Sequence, residues 1–290
     1  MELKHIASRD GRLSSLLRED MKMSAGLMNR LKWADKILVN GKPEHTDFQV
    51  MRGDVITVFL DEEEPDFPPE DGDLTIRYED AHLLAVEKPA GMLIHPSRSR
   101  FDGTLANYVL GYYVRTGQKS AFHPVTRLDR DTFCVVLLTK NSHIHALMQE
   151  SPIQKTYHAL VFGNWEENEG IIDAPIARKP LPSLLREVRE DGKESVTEYR
   201  VLERSGGVAR LELRPVTGRT HQLRLHCAYL GFPILGDPQY ASEASQAFSA
   251  ELGLQGQQLC AHMLEFTHPM TGEKMHLQSG MDVVLEQFKL

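Results

Sequence analysis

Apolar positions follow two spacings along the chain. At the N-terminal end the period is helical: Leu13, Leu16 and Leu17 share one face, and Leu27, Met28 and Leu31 another behind Ser24 as N-cap. A short strand, Ile37-Leu38-Val39, then meets Asn40-Gly41, a strong tight-turn pair, and Gly53-Asp54 turns into a second strand, Val55 to Leu60. From residue 73 the period is mostly two. Leu74 to Tyr78, Leu83 to Val86, Cys134 to Leu138, Gln154 to Phe162, Thr197 to Val201 and Val208 to Arg214 read as strands. Along Gln154 to Phe162, Tyr157, Ala159 and Val161 share a face. Three helices interrupt this series. Gly103-Thr104-Leu105 opens one with Leu105, Val109 and Tyr112 on one side, and Ser142 caps one carrying Ile144, Leu147 and Met148. The third runs from Thr217-Gly218 to Tyr229 and stops at Gly231. The pattern predicts an α+β protein with a mixed, largely antiparallel sheet.

Between the two regimes lies Asp61-Glu62-Glu63-Glu64-Pro65-Asp66-Phe67-Pro68-Pro69-Glu70-Asp71-Gly72, acidic and proline-rich. Such a run holds no regular ladder and reads as a linker. It divides the chain into residues 1–60, 61–72 and 73–290. Length agrees: 290 residues fit one large unit plus a small one.

The formal charge of -8 does not advertise a nucleic-acid binder, but net charge speaks to long-range steering and not to the sign of one cleft. Arg30, Lys32, Lys36 and Lys42 gather around the second helix and the Asn-Gly turn, a surface suited to phosphate contacts or simply a solvated face. The 178–195 stretch, with Arg178, Lys179, Arg186, Arg189 and Lys193, reads equally as an RNA-contacting loop or a solvated hairpin. The three cysteines, Cys134, Cys227 and Cys260, lie far apart and form no Cys-x-x-Cys; two of them, in apolar or helical contexts, read as small buried hydrophobes, as in a reducing cytoplasm. The N-terminus has no apolar signal core, and no apolar run reaches the ~20 residues of a membrane span.

The chemistry concentrates at Val125-Thr126-Arg127-Leu128-Asp129-Arg130-Asp131-Thr132, where charges of alternating sign stand at the mouth of a buried strand. Charges there are costly unless paired. An arginine beside a partly buried carboxylate keeps it ionised, as a nucleophile or general base requires. By itself the stretch also fits a solvated loop with a local ion pair.

His123-Pro124-Val125-Thr126-Arg127-Leu128-Asp129-Arg130-Asp131-Thr132, followed by an apolar strand, resembles the signature of the RluA-type pseudouridine synthases. Four further segments resemble family motifs in the same order. They are Glu87-Lys88-Pro89-Ala90-Gly91-Met92-Leu93-Ile94-His95-Pro96, Lys155 to Gly163 around Tyr157, Thr217 to Arg224 with Pro233 to Asp237, and Leu259 to Glu273. Residues 12–60 resemble the S-four-type RNA-binding domain.

The resemblance implies a pseudouridine synthase fold acting on structured RNA, ribosomal rather than transfer RNA, in a cytoplasmic monomer. It makes Asp129 the nucleophile, or the base that removes the C2′ proton. Tyr157 becomes the stacking face with a hydroxyl near C5, and Arg224 the partner of the aspartate. It puts Arg127 in the active-site region, at the RNA backbone or the aspartate; Arg219, at the helix start, is placed for phosphate, with Lys88 and His95 as candidates for the pocket edge and Arg30, Lys32 and Lys42 as RNA contacts from the small domain. The alternative is an RNA-binding or ribosome-assembly protein that keeps the fold without the chemistry.

Isomerising uridine breaks N1–C1′ and forms C5–C1′, so no cofactor or metal is expected. The sequence offers neither a Gly-x-Gly-x-x-Gly nor a phosphate loop at Gly192-Lys193. His221 and His226 lack helical metal spacing, and there is no Gly-x-Ser-x-Gly. Two departures stand out. Thr126 replaces the usual histidine before Arg-Leu-Asp, and Phe133-Cys134 replaces the usual Ser-Gly. Glycine there permits dihedrals that cysteine resists, so a reshaped turn is expected.

Overall fold

A computed structural model describes residues 1–61, 63–97, 100–183 and 185–285, which leaves Glu62 of the acidic run and Leu184 of the 178–195 stretch outside the described residues. The first sixty residues form a four-stranded antiparallel sheet in the order Glu2–Ile6, Val55–Phe59, Ile37–Val39, Lys42–Pro43. Helices Leu13–Glu19 and Ala25–Trp33 bury Leu13, Leu16, Leu17, Met28 and Leu31 against Leu3, Ile37, Ile56 and Val58. Ser24 caps the second helix, accepting from the Leu27 N–H at 3.2 Å. Asn40 and Gly41 both have positive φ, as a two-residue hairpin turn with the twist of its strands requires.

The rest is a ten-stranded sheet. Its main path runs Glu169–Asp173, Val196–Ser205, Val208–Pro215, Gln154–Phe162, Leu259–Thr267, Phe133–Thr139, Leu83–Lys88, Thr75–Glu79. One junction on this path is parallel, between Phe133–Thr139 and Leu259–Thr267. It has two register pairs, Phe133 with Cys260 and Cys134 with Ala261. The neighbouring antiparallel junction between Phe133–Thr139 and Leu83–Lys88 has six. Both central strands are covered on two faces, which explains their unbroken apolar runs. Leu84, Val86, Val136 and Leu138 pack under helix Leu105–Arg115, while Leu83, Ala85, Val135 and Leu137 pack with Ile144 and Met148 of helix Ser142–Glu150.

Several expectations are corrected. The acidic run packs after all. Phe67 enters the core beneath helix Leu105–Arg115, Asp66 accepts from the Phe122 N–H at 3.1 Å, and the Pro68 carbonyl accepts from Asn107 at 2.9 Å. Glu63 meets His123, and Glu70 accepts from the Gly103 N–H at 3.0 Å. The carboxylates and carbonyls of the strap find donors one at a time, without a ladder. The third helix is shorter than predicted, Gln222–Tyr229, because residues 217–221 turn separately and His221 takes a left-handed φ of 58° at the N-cap. Asn141, and not Ser142, caps the preceding helix, accepting from the His143 N–H. The 178–195 stretch contains a hairpin, Ile176–Arg178 with Arg186–Val188.

Cys134 and Cys260 are joined by a disulfide across 126 residues of sequence, contrary to the reading of isolated hydrophobes. The parallel register sets them side by side, which no local sequence spacing could reveal. Cys227 alone remains a free, buried thiol.

Candidate active site

The Asp129 turn is held from behind. Thr126, buried, accepts from the Leu137 N–H at 3.0 Å, which ties the start of the turn to the strand it feeds. Lys88 is completely buried, and its ammonium donates to the carbonyls of Pro89, Met92 and Arg130 at 3.0, 2.9 and 2.7 Å. Burial pushes the Lys88 amine down to about 8, with Asp131 and Asp129 opposing the fall. Lys88 is thus a pin behind the turn; the predicted place at the pocket edge does not hold. Arg130 and Asp131 pair through two bonds of 2.9 Å, and Gln257 donates to the Thr132 hydroxyl at 2.6 Å. Cys134 follows with φ of +85°, so the cysteine adopts the glycine-type backbone it was expected to refuse.

Asp129 projects from this turn with its side chain one-third exposed. Arg224 reaches it from the opposite wall, Nη1 donating to Oδ2 at 3.0 Å. The arginine has no slack. Its Nε and Nη2 donate to the two oxygens of Asp237 at 2.7 and 2.8 Å, and Nη2 also donates to Gln239 at 2.9 Å. The Asp237 side chain is wholly buried and also accepts from the N–H groups of Gln239 and Tyr240. A carboxylate so bound fixes the guanidinium plane, leaving one N–H end free for Asp129. The Tyr240 ring lies under the guanidinium at 5.1 Å.

His221 stands 3.7 Å from the Asp129 carboxylate through Nε2, while its Nδ1 bonds the Tyr240 hydroxyl at 2.9 Å. The same hydroxyl accepts from the Arg186 N–H of the hairpin at 3.1 Å. Burial holds the His221 imidazole below its ordinary value despite Asp129. Tyr157 is half-buried on its strand; burial and the Asp129 charge push its hydroxyl up to about 12. At neutral pH the phenol is protonated.

The structure brings together Asp129, Tyr157 and Arg224. Asp237, Gln239, Tyr240 and His221 join them, although sequence reasoning gave them no role. Asp237 lay inside a motif already singled out, which was the available signal. Of the predicted RNA contacts, Arg127 is exposed, and His95 is half-buried with its ring at a steep angle to those of Phe67 and Phe122; burial, aided by the Arg127 charge, holds its imidazole below the ordinary value. Arg219 lies before the helix, not at its N-terminus, and donates from Nε to the Glu194 carbonyl at 3.0 Å. On the small domain Arg30 is committed to Asp61 at 2.9 Å, as is Lys36. Lys32 lies over the ring of Trp33, and Lys42 is exposed.

Among the described residues, His158, His262 and Asp282 also offer ligand-type atoms close together. The guanidinium of Arg210 already sits among them, donating to Asp282 and lying 3.2 Å from His158 Nδ1. The local positive charge is supplied by protein, so the cluster reads as an ion-paired pin for the C-terminal segment.

Residues 82–229 match the family model described as RNA pseudouridylate synthase. The chain is 36% identical to the uncharacterised RNA pseudouridine synthase YlyB of Bacillus subtilis, covering 85% of this chain and 82% of that one. It is 31% identical to the ribosomal large subunit pseudouridine synthase C of Vibrio cholerae, with 95% and 91% covered. Among solved structures, human RNA pseudouridylate synthase domain containing 1 superposes with a TM-score of 0.61 at 25% identity. That match covers 76% of this chain and 88% of the human one. No helix among the described residues is long and apolar enough to cross a membrane. An arginine-held aspartate in this fold and these matches lead to one conclusion: the chain belongs to the RluA-type RNA pseudouridine synthases.

Proposed function

We propose that the enzyme converts uridines of ribosomal RNA to pseudouridine in the cytoplasm, as a monomer, with Asp129 as the reacting carboxylate. The observation that carries this reading is the bond from Arg224 to Asp129, made by a guanidinium whose other donors are consumed by Asp237 and Gln239. In the isomerisation the N1–C1′ bond breaks, C1′ is rejoined at C5, the C5 proton leaves and N1 gains one. Asp129, with lone pairs facing the cleft, either attacks C1′ or removes the C2′ proton. The uracil anion delocalises its own charge, so no second carboxylic acid is required, in contrast to a glycosidase. Tyr157 stacks on the base and keeps it bound between the two bond changes, a contact worth roughly 1–3 kcal/mol. The target base is flipped from its stack to reach the site. Arg127 and Arg219 contact the backbone beside the site. The first sixty residues act as an S-four-type RNA-binding domain through Lys32 and Lys42, the strap at 61–72 joins it to the synthase domain, and ribosomal RNA is the substrate that the Vibrio cholerae relative's name points to.

The test is to map pseudouridines in ribosomal and transfer RNA from cells lacking the protein, rescued with wild type or Asp129→Asn. Sites that vanish in the deletion, return with wild type and stay absent with the variant support the reading. Sites restored by the variant would remove Asp129 from its role, and losses confined to transfer RNA would remove ribosomal RNA as substrate.

A further inference from the structure

The two groups that meet at the site come from opposite sides of the narrowest junction on the main path of the central sheet. Asp129 belongs to the half containing Leu83–Lys88 and Phe133–Thr139. Arg224, Tyr157 and His221 belong to the half containing Gln154–Phe162 and Leu259–Thr267. The parallel junction between the halves has two register pairs. Three contacts cross it directly below the aspartate turn. Gly256 lies against Asp131, with no room to spare for a side chain, Gln257 bonds Thr132 at 2.6 Å, and Cys134 is bonded to Cys260. The last is covalent, and it holds the one residue of the Phe133–Thr139 strand that has left-handed backbone, Cys134 at φ +85°. A non-glycine residue persists in that conformation only where its surroundings over-determine it.

We propose that Cys134 and Cys260 are positioning residues for the Asp129–Arg224 pair, their disulfide clamping the two halves of the sheet in the register that brings carboxylate and guanidinium together. The inference rests on the reading of Asp129 given above. Intracellular disulfides are typically transient and redox-sensing, so the clamp makes the enzyme responsive to thiols. A dithiol supplies two electrons and two protons to the S–S bond, which becomes two thiols while the reductant closes to its own disulfide. Freed of the bond, Cys134 relaxes toward ordinary strand dihedrals and the turn carrying Asp129 moves relative to Arg224.

The experiment compares the full-length enzyme isolated without reductant and the same enzyme treated with dithiothreitol. Thiols are counted after denaturation, and single-turnover pseudouridine formation and affinity are measured on a transcribed ribosomal RNA fragment. Amide exchange of residues 125–139 and 256–264 is followed in parallel. The expected result is one thiol before reduction and three after. The reduced enzyme should form product at least about tenfold more slowly, since a misplacement near 1 Å at a reacting group costs about a hundredfold, with RNA affinity unchanged, faster exchange in both segments, and recovery on reoxidation. Cys260→Ser should behave as the reduced enzyme in either condition. Three thiols in the enzyme isolated without reductant, persisting after mild oxidation, overturn the proposal, as do equal rates with equal exchange. If neither form makes product, the Asp129 reading fails, and the thiol count and amide exchange still decide whether the clamp exists.

Discussion

Asp282 and Asp129 each face an arginine and a histidine, and they differ in how fully those partners satisfy them. Asp282 is saturated. His158 donates to both its oxygens within 2.9 Å, Arg210 bonds one, and the Val283 N–H bonds the other at 2.7 Å. Burial pushes the Asp282 carboxyl up, yet the His158 bond and the Arg210 charge outweigh it and hold it below the usual range. Asp129 receives one hydrogen bond, from an arginine otherwise occupied, and its histidine stops at 3.7 Å. One is a structural pin with no lone pair to spare. The other, with its side chain one-third exposed, keeps lone pairs that no partner uses, the state a nucleophile or base needs. Ion pairing alone does not separate the two carboxylates; how many of their lone pairs are already taken does.

The strongest way to break this comparison is to exchange amide for acid at both positions. Asp129→Asn should lower single-turnover product formation by about 10³-fold or more with little change in melting temperature, in line with losses on removing a reacting group. Asp282→Asn should leave the rate within a few-fold but lower stability by about 3 kcal/mol, because Arg210 keeps its charge in a half-buried site with no carboxylate; denaturant titration checks it.

A second test removes the element that makes Asp129 different. Asp237→Asn should free Arg224, slowing the reaction by about 10²-fold through lost positioning. It should also cost about 3 kcal/mol of stability, since the buried guanidinium loses its partner.

A smaller effect is expected at the stacking face. Tyr157→Leu should lower kcat/KM by the equivalent of about 1–3 kcal/mol, while Tyr157→Phe should keep most of the affinity for RNA. A Phe variant whose affinity matches that of the Leu variant would contradict stacking.

Acid should separate the clusters further. Burial holds His143, His226 and His262 below 6.5, so the folded state binds fewer protons than the unfolded one between that value and the depressed ones. Stability is then lost as pH falls below about 6.5. The depressed carboxylates Asp80 and Asp282 add stability above 3.8 that is lost as pH falls through their folded values. Urea midpoints between pH 7 and 3 should fall in these two stages.

Much of this was legible in the order of residues. Unbroken apolar runs marked the central strands because both of their faces are buried, and the alternating charges before Cys134 marked the turn that carries Asp129. Asp129, Tyr157 and Arg224 were named from motifs, and the structure brings them together. What stayed hidden depends on pairings distant in sequence. Asp237 stood at the end of a matching segment but gained no role until its side chain was found locked to Arg224, and Lys88 looked like a basic residue near a loop until three carbonyls were found around its amine. The disulfide needs a parallel register between strands 126 residues apart. The strap at 63–71 was misread because proline and acid exclude a ladder but not single hydrogen bonds. His221 was missed because a left-handed helix cap on histidine has no pattern in sequence.

The most direct test of the central claim is single-turnover pseudouridine formation by wild type, Asp129→Asn and Asp282→Asn on one ribosomal RNA substrate, with RNA affinity measured in parallel. The account predicts no product from the first variant at undiminished affinity, and near-normal product from the second. Product from Asp129→Asn at a rate near wild type would contradict it.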